Sequence, residues 1–110
     1  MTRKQALAEL IEKVEAGNPA KVKIWYWAVG SRYNVASKAA AGYLDAAKAL
    51  HEAVLPGWPY TIENVTGQNY RAWTDKSRNL RQPGFSNRSP CPARAWLLAI
   101  LHALYANDKS

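Results

Sequence analysis

The segment Pro92–Ala106 constrains this chain more than any other. Trp96, Leu97, Ile100, Leu101 and Leu104 fall on one helical face, and Leu98, Ala95, Ala99 and Ala103 fill most of the remainder. Pro92 suits the first helical position, where its missing N–H costs nothing. A helix apolar on nearly all sides belongs in the middle of a fold or at a subunit contact. The run Ala95–Ala106 is too short to span a bilayer and contains His102. The rest of the chain must therefore provide elements that surround it.

Those elements can be read in order. Thr2 can cap a first helix, roughly Arg3 to Glu15, with Ala6, Leu7, Leu10, Ile11 and Val14 as its buried stripe. Gly17 suits its left-handed C-terminal position, and Asn18-Pro19 closes it. Residues 20–28 are ambiguous. Val22, Ile24, Tyr26 and Ala28 alternate with Lys21, Lys23, Trp25 and Trp27, a period of two that favours a strand; the run is short, so a helix stays open. Gly30 to Asn34 reads as a loop. A second helix begins between Ala36 and Tyr43 and runs to about Leu55, with Tyr43, Ala47, Leu50 and Val54 in phase and Leu44 widening the face. Pro56-Gly57 stops it. Tyr60–Val65 and Tyr70–Thr74 form a hairpin about the turn Thr66-Gly67-Gln68-Asn69. Residues 75–91 are rich in turn formers, with room for one further short strand. The expectation is an α+β fold in a single domain over 1–110: a small, mainly antiparallel sheet of three or four strands packed with three helices.

With those helices placed, a resemblance can be named. Leu44–Trp58 (LDAAKALHEAVLPGW), Pro92–Leu104 (PARAWLLAILHAL) and the opening Met1–Asn18 resemble small bacteriophage and prophage proteins, the phage alpha-beta-alpha (ABA) sandwich proteins. The likeness covers about half of the chain. It implies a small antiparallel sheet packed with helices and implies no activity. Such proteins usually carry Ser, Thr or Asn at the helix-capping positions. Here Gly42-Tyr43 precedes Leu44, which would let the second helix start earlier through Ala39–Ala41, and Cys91 stands in the cap position before Pro92.

Charge is unevenly spread. The 110 residues carry a formal net charge of +7. Residues 66–106 hold Arg71, Lys76, Arg78, Arg81, Arg88 and Arg94 against Asp75 alone. Arginine suits bidentate contacts with phosphate or carboxylate. Five Trp and six Tyr are more rings than so small a body can hide, so some should line a groove or an interface. The single cysteine, Cys91, forms no internal disulfide and no structural zinc site. It suits a reducing cytoplasm, and residues 1–17 read as a charged amphipathic helix rather than a signal peptide.

No catalytic pattern stands out. His51 and His102 lack any metal-ligand spacing, Cys91 has no base placed beside it, and Asp45, Glu52 and Glu63 lack the spacing of a carboxylate pair. No Gly-rich phosphate loop is present. The cluster above background is Tyr70, Arg71 and Trp73 with Arg78, Arg81, Phe85 and Arg88: arginines to clamp phosphate and rings to stack on bases. The expected function is that of a non-enzymatic phage accessory protein. It would work against host defence by sequestering an anionic nucleotide-type small molecule, as a homo-oligomer in the cytoplasm of the infected bacterium. No cofactor, metal or membrane is expected. The alternatives are an inhibitor that binds a host defence protein through Trp25, Tyr26 and Trp27, and a basic nucleic-acid binder. Were the ligand held by the expected cluster, it would sit on Tyr70, Arg71, Trp73, Arg78, Arg81 and Arg88.

Overall fold

In a computed structural model, residues 2–64, 70–74, 85–89 and 91–107 are described, with the backbone alone at Trp73 and across 85–89. The first helix, α1, spans Arg3–Ala16. Thr2 opens it with a reciprocal capping box: its hydroxyl accepts from the Gln5 N–H, and the Gln5 side chain accepts from the Thr2 N–H. Gly17 closes it at φ 75°, where its N–H and that of Asn18 take up the last carbonyls. Ala6, Leu7, Leu10 and Val14 are buried as a stripe, with Ile11 packed at its edge.

Three further helices precede the sheet: α2 (Val22–Val29), α3 (Tyr33–Ala40) and α4 (Leu44–Val54), with a 3₁₀ turn over Gly30–Arg32 between the first two. The sheet is antiparallel, in the order β1 (Tyr60–Asn64), β2 (Tyr70–Thr74), β3 (Phe85–Ser89). In the register, Ile62 faces Ala72, which faces Asn87; Glu63 faces Arg71, which faces Arg88. The last helix, α5 (Pro92–Asn107), begins as Pro92 requires, with the Cys91 carbonyl accepting from the Ala95 N–H.

α5 is the centre of the molecule. Ala93 and every residue from Ala95 to Leu101 are buried, as are Ala103 and Leu104. β2 and β3 pack on one side of it and α1, α3 and α4 on others, while α2 packs against α1 and α3. Burying leucine-sized side chains stabilises by roughly 1.5–3 kcal/mol each, so the all-round apolar surface of α5 is the main source of cohesion.

The α+β class is as expected; the helix content is not. Residues 20–28 do not form a strand. Ile24, Trp25, Ala28 and Val29 are buried as a helical stripe, whereas Val22 and Tyr26, members of the alternating set, are 64% and 55% exposed. Tertiary contact with α1 decides between two periods that a short run leaves open. Gly30–Asn34 is not a loop, since the chain enters α3 at Tyr33. The second expected helix is in fact two. It does not run through Ala39–Ala41 into Leu44, because Gly42 turns the chain at φ 109° and Tyr43 caps α4 in an extended conformation. The buried face of α4 is therefore Ala47, Leu50 and His51, with Tyr43 and Leu44 exposed. Among the described residues there are five α-helices rather than three.

Candidate functional site

The expected arginine and aromatic cluster is only partly within view. Arg78 and Arg81 lie outside the described residues, and the side chains of Trp73, Phe85 and Arg88 are not described. Tyr70 and Arg71 are adjacent on β2, so they face opposite sides of the sheet. Tyr70 is half-buried against the core, on the side of Ala72. Arg71 lies on the other side and donates from Nη2 to Glu63, its cross-strand neighbour. Alternation in β2 thus separates the ring from the guanidinium. Arg94, counted in the same basic stretch, turns inward: its Nε and Nη2 donate to the Ala40 carbonyl at 3.3 and 3.0 Å, satisfying the C-terminal end of α3. A groove of about 350 Å³ beside it is walled by Trp25, Val14 and Ala40.

The Trp25-Tyr26-Trp27 stretch also divides. Trp25 is 5% exposed and belongs to the core, while Tyr26 and Trp27 are exposed. Helical geometry explains the split, because consecutive residues step about 100° around the axis.

A second arrangement was not legible in the sequence. Gly17 ends α1 in a left-handed turn, and the chain reverses through Asn18, Pro19 and Ala20 to Lys21, the N-cap of α2. This places α2 against α1 and leaves a groove of about 670 Å³ between them, lined by Glu9, Lys13, Pro19, Ala20, Lys21, Lys23, Ile24 and Trp27. Three ammonium groups thus surround an apolar floor and an exposed indole. Lys21, as N-cap, has no side-chain acceptor for the first α2 amides. The positive end of that helix therefore adds to the lysines. The Lys23 Nζ sits 5.7 Å from the Trp27 ring centroid. Among the described residues Glu9 contributes the single carboxylate of the lining, and its Oε2 is buried without a hydrogen-bond partner. An unsatisfied buried acceptor costs about 1–3 kcal/mol.

Lys23 and Trp27 are four apart, so they share a helix face but would also share a strand face. The missing signal was the helical reading of 22–29, which brings this face against α1 and Glu9.

Among the described residues His51 is the most enclosed titratable group. Trp96 Nε1 donates to His51 Nδ1 at 3.2 Å, so Nε2 carries the proton and donates to the Trp58 carbonyl at 2.9 Å. The rings of Tyr60 and Trp96 lie 4.8 and 5.7 Å from the imidazole. Burial pulls its pKa below the ordinary histidine value, opposed in part by the Trp58 carbonyl and the Glu52 charge. With both nitrogens engaged, this ring is a structural bracket between α4, α5 and β1. His102 is half-buried and pairs with Glu15 at 3.4 Å. Among the described residues no three His, Cys, Asp or Glu side chains gather to hold a metal, and no helix is long and apolar enough to cross a membrane.

Comparison with protein-family models, with curated proteins and with solved structures found no match for this chain.

Proposed function

We propose that this protein binds and sequesters an anionic nucleotide-type small molecule in the groove between α1 and α2, without chemical turnover. The observation that carries this reading is the grouping of Lys13, Lys21, Lys23 and the exposed Trp27 around one cavity of suitable size. Lysines supply charge for phosphate, the indole a stacking surface for a base, and Glu9 an acceptor for ribose hydroxyls or an exocyclic amine. The resemblance of the α4 and α5 sequences to phage ABA sandwich proteins is the ground for proposing a phage accessory protein; the action against host defence is proposed on the sequestering groove. The groove is assembled within one chain, so binding itself requires no partner copy; homo-oligomerisation remains part of the proposal on the ground of the exposed rings.

Isothermal titration with a panel of nucleotides tests the reading. Heat is expected from the native protein, and Trp27→Ala should weaken binding about tenfold or more, the order of one stacked base. Absence of heat across the panel would sink it. A loss that follows Arg78→Ala, Arg81→Ala and Arg88→Ala, and spares Trp27→Ala, would move the ligand to the basic segment.

A second reading, an inhibitor that grips a host defence protein, is favoured by the exposure of Tyr26 and Val22 beside Trp27. Retention of one host polypeptide by the native chain but not by Tyr26→Ala would select it.

A further inference from the structure

Trp27 lines two grooves rather than one. Besides the lysine groove, a second groove of about 450 Å³ lies at the C-terminal end of α2, its lining including Arg3, Tyr26, Trp27, Gly30 and Arg32. Tyr26 and Arg32 are exposed there. Arg3 is anchored by its Nε to the Ala28 carbonyl at 3.0 Å, which holds its guanidinium at the groove wall. Cations therefore stand at both ends of α2, Lys21 and Lys23 at the start and Arg32 just past the end, with the Trp27 ring between them. Tyr26 offers a second aromatic surface in the second groove.

The length of α2 limits what can use both ends. Eight residues of helix extend about 12 Å. With the reach of the Lys and Arg side chains, two phosphates joined through a nucleoside match cations at the two ends of α2 more closely than a single phosphate does. Among the described residues the only carboxylate lining either groove is Glu9, at the lysine end, and none lines the second groove from Trp27 to Arg32.

We infer that the ligand is a phosphodiester-linked nucleotide of at least two units, lying along α2 from the Lys21–Lys23 groove across Trp27 to Arg32. This rests on the nucleotide reading above and specifies its substrate class. One phosphate engages the lysines and the start of α2. A base meets Trp27, and the second nucleotide enters the groove of Tyr26 and Arg32.

The test compares a 5′-phosphorylated dinucleotide with the corresponding mononucleotide, by calorimetry or Trp fluorescence, on the full chain. The dinucleotide should bind at least tenfold tighter. Arg32→Ala, at an exposed position, should bring that affinity ratio close to one, with the far-ultraviolet circular dichroism unchanged. Arg32→Lys should keep much of the advantage. Equal affinities for the two ligands, or a ratio insensitive to Arg32→Ala, would overturn the inference and leave the mononucleotide reading intact. Failure of both ligands to bind would remove both.

Discussion

The hydrogen bonds at His51 require a neutral imidazole. Nδ1 accepts from Trp96, so a proton there would face another donor, and burial disfavours the charged ring in any case. The folded pKa therefore lies below the unfolded value of about 6.5. As pH falls through that value the unfolded chain takes up a proton before the folded one does. The stability from this bracket is full above about 6.5 and is lost as pH falls below it, toward the folded pKa. The thermal midpoint should drop between pH 7.5 and 5, and His51→Gln should flatten that slope; a slope unchanged by the substitution would assign it to other groups. The sequence showed His51 on a helix among apolar neighbours and without ligand spacing. It could not show Trp96, which is 45 positions away.

Among the elements, the break between α3 and α4 depends on one glycine. Gly42 adopts φ 109°, and a Cβ placed there would meet Cys91 Sγ at 3.7 Å, an ordinary contact. Space is therefore available, and backbone strain decides the outcome. Gly42→Ala should destabilise by about 1–3 kcal/mol, read as a lower midpoint in urea. A neutral or stabilising result would mean that the chain relieves the strain by joining α3 to α4. α1 was legible because cap, stop and apolar stripe agree, and α5 because Pro92 opens a run that is apolar on nearly all sides. α2 was not, because eight residues fit two periods and the deciding face is set by α1. The hairpin strands were legible from alternation, whereas the turn read at Thr66–Asn69 lies outside the described residues.

At the scale of the whole molecule, charge and shape combine in a way that residue counts hide. The sequence concentrates arginine in residues 66–106, yet the arginines there whose side chains are described are engaged: Arg71 with Glu63 and Arg94 with the α3 carbonyl. The accessible cations with a groove and a ring beside them include Lys13, Lys21 and Lys23 at one end of α2 and Arg32 at the other. Because these are solvent-exposed charges, salt should screen them over about 10 Å at 0.1 M. Nucleotide affinity should fall severalfold between 50 and 500 mM salt, measured by fluorescence titration, and a salt-independent affinity would argue that stacking alone holds the ligand.

The amino-acid sequence by itself determined that one helix would be central, because a segment apolar on every side has no other stable place. It also determined that α1 would be capped by Thr2 and Gly17, and that β1 and β2 would pair antiparallel. These follow from interactions within a few residues or from burial of a whole segment. Tertiary structure alone decided the state of residues 22–29, the split at Gly42, and the meeting of Glu9, Lys13, Lys21, Lys23 and Trp27 in one groove. Each of those depends on which face one helix turns toward another, and that choice is made by packing between elements distant along the chain.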